Sequence, residues 1–164
     1  VIPLFISQIK NGRPITITDP TMTRFLMSLA ESVDLVEYAF TKAETGDLFV
    51  RKAPASTIKD LAIALIELFD GKADQIQNIG FRHGEKLFES LLSVEERVNS
   101  EDHGNYFRVP LDTRDLNYSL FFEEGENRSP DLDSYNSHNT QRLDVEQVKE
   151  LLLTIPELRE ELAI

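Results

Sequence analysis

Apolar side chains recur along the chain at two spacings, and each spacing predicts an element. Residues 2–10 have apolar positions at helical intervals and run into Asn11-Gly12, which is typical of a helix end. Residues 14–18 alternate apolar and polar side chains, which predicts a short strand that Asp19-Pro20 ends. Further short strands are predicted at residues 48–51, 76–80 and 106–109.

Five more helices are predicted from apolar residues three or four positions apart. The first follows Ser28, which has capping-box spacing to Glu31, and the second begins at Thr57 and ends at Gly71. Residues 84–92 resemble a short amphipathic helix, Asp144 caps another, and Pro156 begins a terminal one. The apolar positions of the first two are Leu29, Val33, Val36 and Phe40, and Ile58, Leu61, Leu65, Leu68 and Phe69. Strands mixed with helices predict an α/β or α+β fold.

Residues 123–142 break this pattern, because they contain almost no aliphatic side chain and are dominated by turn formers. Such a segment cannot build a core of its own. Its length predicts either a functional loop or a tail that crosses another surface.

Composition and charge limit the classes of function that the chain can have. Seventeen Lys and Arg against 29 Asp and Glu give a net charge of −12, which disfavours binding of nucleic acid or anionic membranes as the main function. The absence of cysteine excludes disulfides, thiolate zinc sites and a cysteine nucleophile. With no run of membrane-spanning length and no signal-peptide pattern, we expect a cytoplasmic protein. The apolar start at Val1, without Met, indicates a fragment that lacks its N-terminal part.

No self-contained catalytic motif and no metal-binding motif occurs in the chain. The three histidines, His83, His103 and His138, are isolated among polar residues and are interpreted as loop histidines without a catalytic role. Arg24 and Arg82 each lie between a predicted strand and a predicted helix, where a guanidinium and backbone N–H groups can converge on a phosphate.

Glu85, three residues after Arg82, can accept two hydroxyl protons of a ribose diol. The alternative is that both arginines form surface ion pairs.

Four stretches together resemble one family. They are TDPTMTRFLMSLAESVDLV (18–36), IGFRHGEKLFESLLS (79–93), YFRVPLDTRDLNYSLFF (106–122) and YNSHNTQRLDVEQVKELL (135–152). The resemblance is to the soluble UDP-N-acetylglucosamine 4,6-dehydratase/5-epimerases of bacterial capsule and O-antigen synthesis, within the extended short-chain dehydrogenase/reductases. It covers nearly all of the chain, and the last two stretches are its most specific part.

The resemblance implies that this chain is the substrate-binding C-terminal portion of such an enzyme. The Rossmann half, with its Gly-rich NADP loop and its Tyr-x-x-x-Lys catalytic pair, would lie upstream of Val1. NADP would therefore be bound by that half, and the fragment alone is expected to be inactive. Tyr38 and Lys42 have the catalytic spacing but are interpreted as a chance match on an ordinary helix.

The resemblance also implies site roles and an assembly. Arg24 and Arg82 would hold the diphosphate of UDP-N-acetylglucosamine, Glu85 the ribose, and the strand residues Thr16, Ile17 and Thr18 would offer backbone groups to uracil. His83 stands where a proline is common in relatives.

Residues 1–122 would form the nucleotide-sugar-binding domain, 123–143 a polar arm onto a neighbouring subunit of a homo-oligomer (a hexamer), and 144–164 the C-terminal helices. Two alternatives stay open: a UDP-sugar 4-epimerase or retaining dehydratase with the same grip on UDP, and a non-catalytic protein-interaction domain.

Overall fold

The computed structural model describes residues 1–111 and 133–163, which divide into two compact units. Unit 1 comprises residues 1–28, 53–89 and those from 137 onward, and unit 2 comprises residues 29–52 and 90–136. In chain order the elements are α1 (Ile2–Lys10), β1 (Ile15–Ile17), β2 (Thr23–Phe25), α2 (Leu29–Lys42), β3 (Leu48–Arg51), β4 (Ala55–Thr57), α3 (Ile58–Leu68), a 3₁₀ helix (Ala73–Gln75), β5 (Ile76–Asn78), β6 (Ser90–Leu92), α4 (Val94–Val98), β7 (Glu101–Asp102), β8 (Tyr106–Val109), β9 (Tyr135–Asn136), α5 (Val145–Leu153) and α6 (Pro156–Leu162).

Unit 1 is built around α3, whose apolar residues are buried on several sides. Thr57 caps this helix, because its Oγ1 accepts the N–H of Asp60 at 2.9 Å. Helices α1 and α5 and strand β1 pack against α3. The core of unit 1 comprises Phe5, Ile6, Ile9, Ile15, Ile17, Met22, Ile58, Leu61, Ala62, Ala64, Leu65, Ile66, Leu143, Val148, Leu152 and Leu158.

Two short strand pairs complete unit 1. Strand β1 is parallel to β5, with Ile15 opposite Ile76, and β2 is antiparallel to β4, with Arg24 opposite Ser56. Helix α5 begins at Asp144, whose carboxylate accepts the N–H of Gln147 at 2.9 Å. These elements bring residues from both ends of the chain into one core.

Unit 2 contains a three-stranded antiparallel sheet with the order β3-β8-β7 and a second pair, β6 and β9. Helix α2 lies on β3, and the ring of Tyr38 stacks on Tyr106 with centroids 4.3 Å apart. Arg108 of β8 donates to the Asp47 carboxylate at 2.7 Å and also lies close to Glu44 and Glu101. Aromatic packing and ion pairs therefore hold this unit together.

Most predicted elements are confirmed: α1, α2, α3, α5 and α6, and strands β1, β3, β5 and β8. The helix predicted over residues 84–92 is wrong. Its backbone pairs with distant segments instead, because Thr23 N–H donates to Leu87 O at 2.9 Å and Ser137 N–H donates to Glu89 O at 2.8 Å. Residues 90–92 then pair as β6 with β9. Strands β2, β4, β7 and β9 and helix α4 were not predicted.

Residues 123–132 of the polar segment 123–142 lie outside the described residues. In its described end, Tyr135, Asn136 and Ser137 are buried, whereas residues 138, 139, 141 and 142 are exposed. The predicted boundaries at residues 122 and 143, the arm and the oligomer stay predictions. No helix among the described residues is long and apolar enough to cross a membrane.

Candidate functional site

The candidate site of unit 1 begins where the parallel strands β1 and β5 end. The backbone pairing continues past both strands, because Ile79 N–H donates to the Ile17 carbonyl at 2.8 Å. Parallel strands place their carboxyl ends at one edge, which is where α/β proteins commonly bind ligands. Two segments follow from this edge: residues 18–22, which lead to β2, and residues 79–89, here called the 79–89 segment.

The predicted uracil strand lies at this edge. The side chain of Ile17 is buried in the core, and its carbonyl is already paired with Ile79. The hydroxyl of Thr16 accepts the side-chain N–H of Gln8 at 3.1 Å. Thr18 is half-buried and directly precedes the Asp19 turn. The contact of these three residues with uracil stays a prediction.

The 79–89 segment is exposed over its whole length and carries Arg82 and Glu85 in one turn. The Glu85 N–H donates to the Arg82 carbonyl at 3.2 Å, and a Glu85 carboxylate oxygen lies 3.4 Å from the Arg82 N–H. Gly80 and Gly84 have φ values of +78° and +86°, so the backbone bends at positions that favour glycine. Arg82 is exposed, so its guanidinium is accessible to solvent.

Arg24 joins β2 to the 79–89 segment. Its guanidinium donates to the Thr23 carbonyl at 2.7 Å and to the Lys86 carbonyl at 3.0 Å, and its Nε lies 3.6 Å from Glu89. The side chain is 26% exposed. Its Nη2 also lies 3.7 Å from the Met22 sulfur, so four of the five N–H donors of the guanidinium are engaged and one is left for a ligand. The structure thus brings Arg24 to the backbone of the segment that carries Arg82 and Glu85.

A buried hydroxyl pair anchors the same junction. Thr23 and Ser137 are both 0% exposed, and their side-chain oxygens lie 2.7 Å apart. The Ser137 hydroxyl also lies 3.2 Å from the Thr23 carbonyl and accepts the Glu89 N–H at 3.0 Å. Ser137 therefore connects β2 to the end of the 79–89 segment. We call Thr23, Ser137 and Glu89 the hydroxyl junction.

His138 extends this junction. Its Nδ1 lies 2.9 Å from the Thr23 hydroxyl, and its ring packs on Phe88 with centroids 4.9 Å apart. From the sequence, His138 is interpreted as a loop histidine without a catalytic role, and Ser137 is assigned no role. The available signal was the specific resemblance of residues 135–152, which marked the stretch without identifying its contacts.

One carboxylate at the edge has a perturbed titration. The hydroxyl and N–H of Thr21 both donate to Asp19, and they hold the pKa of that carboxyl below its usual value. Asp19 is therefore ionised at neutral pH and stabilises the turn into β2. The nearby segment carries both signs of charge, with Arg82 and Lys86 against Glu85 and Glu89.

The remaining candidate residues are two of the histidines and the Tyr38–Lys42 pair. His83 is exposed in the 79–89 segment, and Lys42 is exposed at the end of α2. In unit 2 the Tyr38 hydroxyl lies 3.1 Å from His103 Nδ1, and the Tyr38 ring is held against Tyr106 and Phe49. Within residues 1–111 and 133–163 no group of three or more His, Asp or Glu side chains is placed to hold a metal ion.

Comparison with known proteins identifies the family to which the chain is similar. Residues 1–111 match the model of a family described as polysaccharide biosynthesis protein, and residues 112–159 match one described as polysaccharide biosynthesis protein C-terminal. The chain is 58% identical over 162 residues to a protein of Rickettsia massiliae named UDP-glucose 4-epimerase, and equally so to a protein of that name from Rickettsia conorii. Both alignments cover 99% of this chain and 47% of the relative.

A solved structure is also similar. Pen from Bacillus thuringiensis superimposes with a TM-score of 0.75 at 30% sequence identity, over 94% of this chain and 44% of that one. The chain thus has a mixed α/β fold that matches the C-terminal 44–47% of longer homologues, and it spans about half the length of the curated relatives.

Proposed function

We propose that this chain, which belongs to the polysaccharide biosynthesis protein family, holds the UDP moiety of a nucleotide sugar for an enzyme that modifies the sugar. One observation carries the proposal. The exposed 79–89 segment presents Arg82 and Glu85 in one turn, and Arg24 is bonded to that segment through the Lys86 carbonyl.

The chemistry of these groups suits a nucleoside diphosphate. A guanidinium can donate two parallel hydrogen bonds to phosphate oxygens, and a carboxylate can accept both hydroxyls of a ribose. The net charge of −12 makes such local cations necessary for an anionic ligand. Contacts to the remote diphosphate and ribose then position the hexose for reaction.

The reacting groups belong to another part of the enzyme in this proposal. A nicotinamide cofactor, NADP or NAD, supplies hydride transfer when it is bound. The chain's residues do not fit that group, because the 164 residues contain no Gly-rich dinucleotide motif. We therefore assign this chain the binding and orientation of substrate and assign the transfer of hydride and protons to the half that the relatives carry in addition.

Two reactions are compatible with this mode of UDP binding. The names of the Rickettsia relatives favour a UDP-sugar 4-epimerase. The motif resemblance favours a UDP-N-acetylglucosamine 4,6-dehydratase/5-epimerase of capsule or O-antigen synthesis. Of the two, the 4-epimerase has the stronger support because its relatives align with 99% of this chain. The assignment as a dehydratase/5-epimerase also implies a hexameric assembly. Light scattering on the longer protein would measure it.

The binding test uses calorimetric titration of the 164-residue chain with UDP and with uridine. A charge-assisted hydrogen bond contributes roughly 1.5–3 kcal/mol, so we expect Arg82→Ala to weaken UDP binding by about ten- to a hundredfold. Arg82→Lys should restore only part of the lost affinity for UDP, because an ammonium group cannot make the two parallel hydrogen bonds of a guanidinium. Glu85→Gln should cost less, since an amide still accepts one hydroxyl.

The matched control is Arg13→Ala, which removes the same charge from an exposed position outside the 79–89 segment. If the chain shows no preference for UDP over uridine, or if Arg13→Ala weakens binding as much as Arg82→Ala, the assignment of the diphosphate site is wrong.

The reaction is tested on a longer protein that joins this chain to the N-terminal half of the Rickettsia massiliae relative. It is incubated with UDP-glucose and with UDP-N-acetylglucosamine, each with NADP or NAD, and the products are analysed by mass spectrometry and NMR. An isomer of unchanged mass supports the 4-epimerase, and loss of one water supports the dehydratase. The chain alone should give neither product, and turnover by it would contradict the assignment of catalysis to the other half.

A further inference from the structure

Strand β2 holds the end of the 79–89 segment on one side. The Lys86 carbonyl accepts an N–H of the Arg24 guanidinium at 3.0 Å, and the Leu87 carbonyl accepts the Thr23 N–H at 2.9 Å. Both contacts reach backbone atoms of the segment. Strand β2 therefore restrains the main chain at residues 86 and 87 directly.

Residues 137 and 138 hold the two positions that follow. The Glu89 carbonyl accepts the Ser137 N–H at 2.8 Å, and the Glu89 N–H donates to the Ser137 hydroxyl at 3.0 Å. The ring of Phe88 packs on the imidazole of His138 with centroids 4.9 Å apart. Each of the residues 86–89, here called the anchored stretch, is thus in contact with a residue that is distant in sequence.

The turn with Arg82 and Glu85 lies directly before the anchored stretch. Gly80 and Gly84 lie in this turn with φ values of +78° and +86°, and a Cβ at either position would meet open space. The turn is exposed and continues without a break into the anchored stretch. Its orientation therefore depends on how firmly the anchored stretch is held.

His138 takes part in the contacts of both sides. Its Nδ1 lies 2.9 Å from the hydroxyl of Thr23, which is fully buried and whose oxygen lies 2.7 Å from that of Ser137. A hydroxyl has only one proton, so when Ser137 donates to Thr23, the Thr23 proton needs another acceptor. The Nδ1 of His138 is within reach of it, while the ring of the same side chain packs on Phe88.

We infer that His138 is a positioning residue: it fixes the anchored stretch through Thr23 and Phe88, and it thereby sets the orientation of the turn with Arg82 and Glu85. That this turn binds UDP rests on the proposed function, whereas the anchoring does not. His138 is exposed and lies outside the core of unit 1. Its loss should therefore loosen the anchored stretch without unfolding the unit.

Three substitutions separate the two contacts of His138. His138→Phe keeps an aromatic ring against Phe88 without a nitrogen, His138→Asn places an amide near the position of Nδ1 without a ring, and His138→Ala removes both contacts. The matched control is His103→Phe in unit 2, because the Nδ1 of His103 also lies close to a hydroxyl, that of Tyr38 at 3.1 Å. Circular dichroism checks that every variant is folded.

The first measurement is limited digestion of the 164-residue chain by trypsin, with the products identified by mass spectrometry. Cleavage after Lys86 requires local opening of the backbone, so its rate reports how firmly the anchored stretch is held. We expect His138→Ala to raise this rate about three- to tenfold, the factor that corresponds to loss of a neutral hydrogen bond. Cleavage after the exposed Arg13 is the internal reference and should not change.

The variants that keep one contact, His138→Phe and His138→Asn, should be cleaved after Lys86 at rates between those of the parent and His138→Ala. An unchanged rate in His138→Ala overturns the inference, and so does a rate in both single-contact variants as high as in His138→Ala. An equal rise after Arg13, or the same rise after Lys86 in His103→Phe, also overturns it, because the effect is then general destabilisation.

The second measurement is the dissociation constant for UDP, obtained by calorimetry on the same variants. We expect His138→Ala to weaken UDP binding about three- to tenfold, in step with the cleavage rates, and His103→Phe to bind like the parent. Faster cleavage with unchanged UDP binding overturns the role of His138 in the nucleotide site. If the parent itself does not bind UDP, the proposed function fails, and the cleavage rates still decide whether His138 fixes the anchored stretch.

Discussion

Removing the Ser137 hydroxyl should destabilise the chain well beyond what a serine-to-alanine change costs on a surface. Ser137 is fully buried and accepts the Glu89 N–H at 3.0 Å, and its oxygen lies 2.7 Å from the Thr23 hydroxyl. Ser137→Ala leaves both groups without that partner. A hydrogen bond lost at a buried group costs about 1–3 kcal/mol, and the buried Thr23 hydroxyl keeps its contact with His138 Nδ1, so we expect a loss of about 2 kcal/mol in the free energy of unfolding.

The assay is urea unfolding of the 164-residue chain, followed by circular dichroism. For a chain of this size a loss of about 2 kcal/mol also lowers the thermal midpoint by about 4–8 °C. Ser7→Ala is the control, because Ser7 is exposed on α1 and, within the described part of the chain, its hydroxyl contacts only the Asn11 amide at 3.5 Å. That variant should stay within about 0.5 kcal/mol of the parent.

A double-mutant cycle isolates the contact itself. Thr23→Val removes the other hydroxyl at nearly constant volume, and neighbours in one network couple by about 0.5–3 kcal/mol. We expect the double variant to lose less than the sum of the single losses. If Ser137→Ala is as stable as Ser7→Ala, or if the single losses simply add, the hydroxyl junction does not hold the 79–89 segment to β2.

Two further predictions concern unit 2. The hydrogen bond from Arg108 and the N–H of Glu44 lower the pKa of the Asp47 carboxyl below its usual value of 3.8. Its stabilising effect is therefore complete above that value and is lost as the pH falls through the lower folded-state pKa. Asp47→Asn should be less stable than the parent near neutral pH, with the difference shrinking in acid, when urea unfolding is repeated down to about pH 3; parallel stability curves would contradict this. Gly46 has φ +91°, and a Cβ there would lie 2.8 Å from Leu111 Cδ2, whereas Gly12 has φ +62° and open space around it. Gly46→Ala should lower the thermal midpoint clearly more than Gly12→Ala, which carries only the left-handed strain of about 1–2 kcal/mol; equal shifts would mean that Leu111 moves aside without cost.

Local spacing was sufficient to predict the longer helices. The intervals between Ile58, Leu61 and Leu65 predicted α3, and the capping side chains Thr57 and Asp144 marked where α3 and α5 begin. A helix closes its hydrogen bonds within four residues, so its position is encoded locally. The helix predicted over residues 84–92 is wrong because the backbone of that stretch forms hydrogen bonds with Thr23 and Ser137, which are distant in sequence.

The candidate site was predictable only in part. Arg24, Arg82 and Glu85 were identified from junctions and resemblance, but the contact of Arg24 with the Lys86 carbonyl spans 62 positions of sequence. The bond between Thr23 and Ser137 spans 114. Strand β9 has only two residues, which are too few to show an alternating pattern, and strand β2 is defined by its pairing with the distant strand β4.

Helices α2 and α3 show what the sequence by itself determines and what it leaves undetermined. Both have an apolar face that the spacing of their residues determined, since side chains three and four apart share one side of any helix. Only the tertiary structure decided that Leu61 and Leu65 enter the core of unit 1 while Val33 and Phe40 stay exposed. Burial depends on which distant segments pack against a face, and no periodicity within the helix specifies them.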